Sequence, residues 1–177
     1  NIPKKGLNYR AEQCAFLGAK AHSLFIDPKV NEWIALCENN SDISDPHELA
    51  NLREWRWSYD RGQNLSPEFV ADSEKIRSLA MPAWAEARNK NDFDVFRPHL
   101  EKIVELNRKK ANIYGFDSHP YDALLEGFER GATTKSIGDL FEDLKTSLKE
   151  IGDLAKNKSN HVAVDLIDGD YTTESQM

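Results

Sequence analysis

TTKSIGDLFEDLKTSLKEIGDLAKN, residues 133–157, sets apolar side chains at Ile137, Leu140, Phe141, Leu144, Leu148, Ile151 and Leu154. Steps of three and four residues gather all seven on one side of a helix and leave the Lys, Asp and Glu residues for the other. The spacing predicts a long amphipathic helix, with Thr133 as its N-cap.

Working back along the chain, the same period recurs and strict alternation does not, so the fold class is all-α, an irregular multi-helix array. A helix is expected from about Leu7 to Phe25, with Cys14, Leu17, Gly18, Ala21, Leu24 and Phe25 on one stripe whose small residues permit close packing. Asp27-Pro28, Asp45-Pro46 and Ser66-Pro67 each pair a capping side chain with a proline at the first helical position, where its missing N–H costs nothing. They predict a short helix to about Cys37, a third carrying Leu49, Leu52, Trp55 and Tyr59, and a fourth through Phe69, Val70, Ile76 and Leu79 toward Trp84 and Ala87. Glu48 stands at the capping-box position, and Asn39-Asn40-Ser41-Asp42 reads as a turn. Pro82 should bend or divide the fourth helix.

A fifth helix is expected to open at Asp92 or its neighbour, to carry Phe93, Phe96, Leu100, Ile103, Val104 and Ala111, and to end at Gly115 in a left-handed conformation. Pro120 should start a short helix through Leu124 and Leu125 to Gly131. Val162 to Ile167 is rich in β-branched residues and too short for periodicity to decide. The expected organisation is a helical scaffold over 1–158 and a polar tail over 159–177. No period repeats at fixed length, which disfavours a solenoid. An opening on Asn1 and a polar close at 170–177 read as a piece of something longer.

A chain of 177 residues with 40% hydrophobic and 30% charged residues has the composition of a soluble domain with its own core. The net charge of -7 argues against nucleic acid as a partner, because phosphate binding needs clustered Lys and Arg. No run approaches the ~20 apolar residues that span a bilayer, so no membrane role is expected, and the residues after Lys4-Lys5 form no apolar signal region. A cytoplasmic location follows from these readings. Cys14 and Cys37 sit in apolar helical patterns without metal-ligand spacing and are read as reduced thiols of the core.

Three groups of residues could carry chemistry. His47-Glu48-Leu49-Ala50-Asn51 approaches the H-E-x-x-H pattern, which sets two imidazoles one helical turn apart on a metal, but Asn51 stands where the second histidine belongs. An acidic residue in a first turn is also expected for helix-end reasons alone. His22, His99, His119 and His161 have no second histidine at i,i+3 or i,i+4 and no paired-carboxylate motif, and each reads as a surface or core-edge residue. Arg53, Arg56 and Arg61 interleave with Trp55, Trp57 and Tyr59, a mixture that could stack on bases. Without a wider basic stripe it reads as packing, with the arginines paired to Glu54, Asp60 or carboxylates of a neighbouring helix. No phosphate loop or nucleophile elbow occurs. Catalytic and metal residues are therefore expected to be absent from this chain, and no substrate-binding residue is assigned.

Three strings carry a family likeness: AWAEAR at 83–88, DFDVFRPHL at 92–100 and PYDALLEGFERG at 120–131. In this order they resemble the amino-terminal half of the thermostable (Taq-type) zinc metallocarboxypeptidases, which show W-x-x-A-R, D-F-x-x-F-x-P-x-L and Y-D-x-L-L-x-x-[YF]-E-x-G. Arg10-Ala11-Glu12-Gln13 and the trailing His22 are similar to that family's first helix. The likeness runs from about Pro3 to the end of the chain.

The resemblance implies a saddle-like, largely helical exopeptidase that removes carboxyl-terminal residues from a peptide substrate, commonly as a homodimer. Its zinc would sit on an H-E-x-x-H helix with a downstream Glu, polarise the scissile carbonyl and activate a water. Those motifs would fall beyond residue 177. This chain would then form a cleft wall, hold no cofactor and be inactive by itself. A stand-alone helical interaction module is the competing expectation, because a family's scaffold does not fix its chemistry.

Overall fold

A computed structural model describes residues 3–157, and the tail expected at 159–177, with its segment at 162–167, lies outside them. Among the described residues there are seven α-helices and no strand. They are α1 Leu7–Phe25, α2 Pro28–Glu38, α3 Pro46–Gly62, α4 Pro67–Lys90, α5 Arg97–Tyr114, α6 Pro120–Leu125 and α7 Thr134–Asn157. The all-α reading holds. The chain divides into two compact units, Asn1–Gly131 with α1 to α6 and Ala132–Met177 with α7.

Helix starts follow the local chemistry. The Asp27 carboxylate accepts from the Lys29 N–H, the Asp45 carboxylate from His47 and Glu48, and the Ser66 hydroxyl from Phe69. Each cap satisfies first-turn donors that have no partner inside the helix, and a proline follows each of them. The Thr133 hydroxyl accepts from the Ser136 N–H at 3.1 Å while the Ser136 hydroxyl accepts from the Thr133 N–H at 3.0 Å, a reciprocal cap at the start of α7.

In the first unit α1 lies along α4, and Ala11 and Ala15 on one helix, Ala80 and Ala87 on the other, are all buried. Short side chains let the backbones approach. A methyl group built on Gly18 would stand 2.7 Å from Cγ of Glu74 on α4. Lys75 of α4 pairs with Glu12 of α1 along the same seam. The expected stripe is therefore corrected: Cys14 and Gly18 face inward, but Leu17, Ala21, Leu24 and Phe25 are exposed, and the buried line runs through Ala11 and Ala15. Close approach selects small residues for the seam, and a rule that seeks large apolar side chains passes them over.

A second cluster joins α2 and α3. Ile34, Leu52 and Tyr59 are buried, with Val30 and Cys37 packed against them. Phe25 meets Tyr59 edge to face, ring centres 6.3 Å apart. Arg56 clamps α3 to α2 with two bonds to the Glu38 carboxylate, at 2.8 and 2.7 Å, and one to the Asn31 amide oxygen at 2.6 Å. Of the stripe expected on α3, Leu49 and Trp55 are exposed. Cys14 and Cys37 are half-buried free thiols.

Three boundaries differ from expectation. Pro82 does not divide α4, which continues through it to Lys90 and ends at Asn91 in a left-handed conformation (φ 51°, ψ 42°). Asp92 caps only a 3-10 turn, Phe93–Val95, and α5 begins at Arg97. Pro98 explains the break, since its ring would clash with the carbonyl four residues back in a continuous helix but is accommodated in a first turn. Gly115 has the expected positive φ of 77°, yet its ψ of 157° is extended, a region open essentially to glycine alone. The helix from Pro120 stops at Leu125, and turns carry the chain to Gly131, whose N–H is taken by the Glu126 carboxylate at 2.8 Å.

Candidate functional site

Among the described residues the histidines are spent on structure or held apart. The His22 Nε2–H donates to the Leu65 carbonyl at 2.8 Å, tying α1 to the turn before α4. His119 Nδ1 accepts from the Tyr121 N–H at 3.1 Å and caps α6. His47 stands exposed in the first turn of α3, and His99 lines an open groove of about 710 Å³ with Leu7, Leu79, Pro82 and Val95. His161 lies outside the described residues. Among the described residues no three His, Cys, Asp or Glu side chains gather as metal ligands, so the zinc that the resemblance implies finds no fitting donor set in them.

The interleaved arginines and aromatics form the most developed side-chain constellation of the first unit. Arg56 is committed to Glu38 and lies 3.5 Å from Asp60; the Arg56 hydrogen bonds hold the Glu38 carboxyl below its ordinary pKa. Arg53 is exposed. Arg61 turns inward. It donates to the Ala123 carbonyl of α6, and its guanidinium carbon lies 3.7 Å from the Tyr114 ring centre and 5.5 Å from that of Trp57. Arg130 takes the remaining side of the ladder, 4.1 Å from the Trp57 ring and doubly bonded to Glu54 at 3.1 and 2.7 Å. Lys110 closes it, its ammonium 5.7 Å from the Tyr114 ring.

This ladder draws α3, α5, α6 and the turn before Gly131 together by alternating cations and rings, each contact stabilising by roughly 0.5–2 kcal/mol according to its desolvation. The packing reading of the Arg and Trp mixture matches these contacts. Arg130, Tyr114 and Lys110 were not legible as members, since no local spacing links them to α3. Burial raises the Tyr114 pKa, partly opposed by Arg61, and burial together with Arg61 lowers that of Lys110.

The apolar surface is the other conspicuous feature. On α7 the side chains of Leu140, Phe141, Leu144, Leu148, Ile151 and Leu154 are 47–61% exposed, although they make the stripe that a globular helix normally buries. In the first unit Trp33, Trp55, Ile34 and Phe25 border a small apolar cleft of about 280 Å³. None of the helices among the described residues is long and apolar enough to cross a membrane.

The all-helical scaffold of the described residues is that of one class of protein, the helical metallopeptidases. Within that class, the model of the family described as carboxypeptidase Taq (M32) metallopeptidase matches residues 1–177, and the chain belongs to this family. It is 31% identical over 186 aligned positions to thermostable carboxypeptidase 1 of Thermus thermophilus, covering 99% of this chain and 36% of that protein. It is 32% identical to carboxypeptidase 1 of Bacillus subtilis over 82% of this chain and 29% of that one. Among solved structures, the crystal structure of BsuCP superimposes with a TM-score of 0.86 at 27% identity, over 99% of this chain and 35% of that one. Metallocarboxypeptidase 1 of Trypanosoma cruzi gives 0.66 at 29% identity, over 91% and 33%. The chain thus spans about a third of the length of the relatives it matches.

Proposed function

We propose that this chain is the non-catalytic front part of a metallocarboxypeptidase that releases carboxyl-terminal residues from peptides, and that it forms one wall of the substrate cleft. The observation that carries the reading is the extent of the match: 99% of the chain, but only 36% of the Thermus thermophilus carboxypeptidase. The exposed α7 stripe supports it, because an apolar face of that width calls for cover from further protein. Since the described residues offer no donor set for zinc, no step of hydrolysis is assigned to them. The metal would be held by residues outside this chain, and the working enzyme would be a cytoplasmic protein, assembled as a homodimer.

Purified 177-residue chain and a longer form continuing past Met177 are compared on blocked peptides, with release of the last residue followed by mass spectrometry. The proposal expects release by the longer form alone. Release by the 177-residue chain after zinc loading would overturn it. If neither releases a residue while the chain stays monomeric and captures another protein through α7, the interaction-module reading takes its place.

A further inference from the structure

Between α3, α5 and α6 lies a cavity of about 370 Å³ lined by Arg61, Asn107, Lys110, Tyr121, Leu124 and Phe128, among others. Two cations share it. Both approach the one Tyr114 ring, Arg61 at 3.7 Å and Lys110 at 5.7 Å from its centre, so their charges lie within about one Debye length at 0.1 M salt, ~10 Å. Among the described residues no carboxylate comes within ion-pair distance of either. The acids nearby in sequence are engaged otherwise: Asp60 faces Arg56, Glu105 pairs with Lys109, and Glu126 accepts from the Gly131 N–H.

Like charges are unfavourable when they face one space without a counter-ion, and burial first, with the Arg61 charge second, lowers the Lys110 pKa. Of its five N–H donors Arg61 spends one on the Ala123 carbonyl and another on the Tyr114 side chain, which leaves the remainder for a ligand. Leu124, Tyr121 and Phe128, the last 90% exposed at the rim, offer apolar surface beside the charges. We infer that this cavity is a carboxylate-binding site, in which Arg61 and Lys110 hold the anion, the Asn107 amide assists, and the aromatic rim covers an apolar peptide neighbour. The inference stands on this geometry and does not depend on the carboxypeptidase reading.

The 177-residue chain is titrated with three peptides while the Lys110 ammonium and the backbone amides are followed by NMR. Acetyl-Leu-Glu-Leu-amide offers a side-chain carboxylate, acetyl-Leu-Leu-Leu with a free terminus offers a terminal one, and acetyl-Leu-Gln-Leu-amide offers none. The expected result is saturable shifts at Asn107, Lys110 and Ala123 and a rise of the Lys110 pKa toward its ordinary value. At least one carboxylate peptide should bind tenfold or more tightly than the Gln peptide, and Lys110→Met, checked for folding by circular dichroism, should lose that margin. Preference for the Glu peptide identifies an acidic side chain as the occupant; preference for the free terminus identifies a chain end. Equal binding of the Gln peptide, retention of the margin in folded Lys110→Met, or an unmoved Lys110 pKa at millimolar carboxylate would overturn the proposal.

Discussion

The Arg61 guanidinium stands 3.7 Å from the centre of the Tyr114 ring while one of its N–H groups donates to the Ala123 carbonyl, so a single side chain of α3 fastens both α5 and α6. A planar, permanently charged fork can stack and donate at once, which an ammonium on a flexible stem cannot do equally well. Arg61→Met should therefore lower unfolding free energy by about 2 kcal/mol, from a charge-assisted bond and a partly desolvated stacking contact. Arg61→Lys should recover less than half of it. Urea unfolding followed by tryptophan fluorescence measures both, and full recovery by lysine would show that charge alone matters there.

The seam between α1 and α4 makes a second prediction. Ala11 is fully buried on a helix that packs along α4. Ala11→Leu should cost about 1–3 kcal/mol by overpacking, whereas the same change at exposed Ala21 should move stability by less than about 0.5 kcal/mol. Equal effects at the two sites in chemical denaturation would contradict the buried line assigned to α1.

Tyr59 separates packing from hydrogen bonding. Its ring is 3% exposed, but its hydroxyl reaches the Ile26 and Asp27 carbonyls only at 3.4 Å. Bonds that long are weak, so Tyr59→Phe should cost less than about 1 kcal/mol. Tyr59→Ala should cost about 3–5 kcal/mol through loss of the ring.

Lys110 gives a pH signature with a definite sign. Burial lowers its folded pKa below the ordinary lysine value of about 10.4, so near that pH the unfolded state binds more protons. Stability should then rise as pH climbs through the interval between the lowered folded pKa and the unfolded one. Tyr114, whose pKa is raised, works in the opposite direction at the upper end of the same range. Subtracting the stability profile of Lys110→Met from that of the parent chain isolates the lysine contribution, and a flat difference would contradict its burial.

The legibility of the chain follows the range of the interactions. Asp27, Asp45, Ser66 and Thr133 act on N–H groups two or three residues away, so the helix starts could be read from their own neighbourhoods. The α7 stripe was equally plain because periodicity is local. The buried face of α1 depends on how near α4 comes, and only the folded pair reveals that alanines, not leucines, fill the seam. The Arg61 ladder eluded sequence reasoning for the same cause: Ala123 lies 62 residues from Arg61, and Arg130 reaches Glu54 across 76. Pro98 carried a usable signal for the late start of α5, obscured by the apolar pattern that begins at Phe93.

The most direct test of the central claim is the zinc stoichiometry of the purified 177-residue chain after loading and exhaustive dialysis. A chain that forms only the scaffold side of a metallocarboxypeptidase should retain far less than one zinc per molecule, while the longer form retains one. One tightly held zinc per 177-residue chain would contradict the account and require a donor set within these residues.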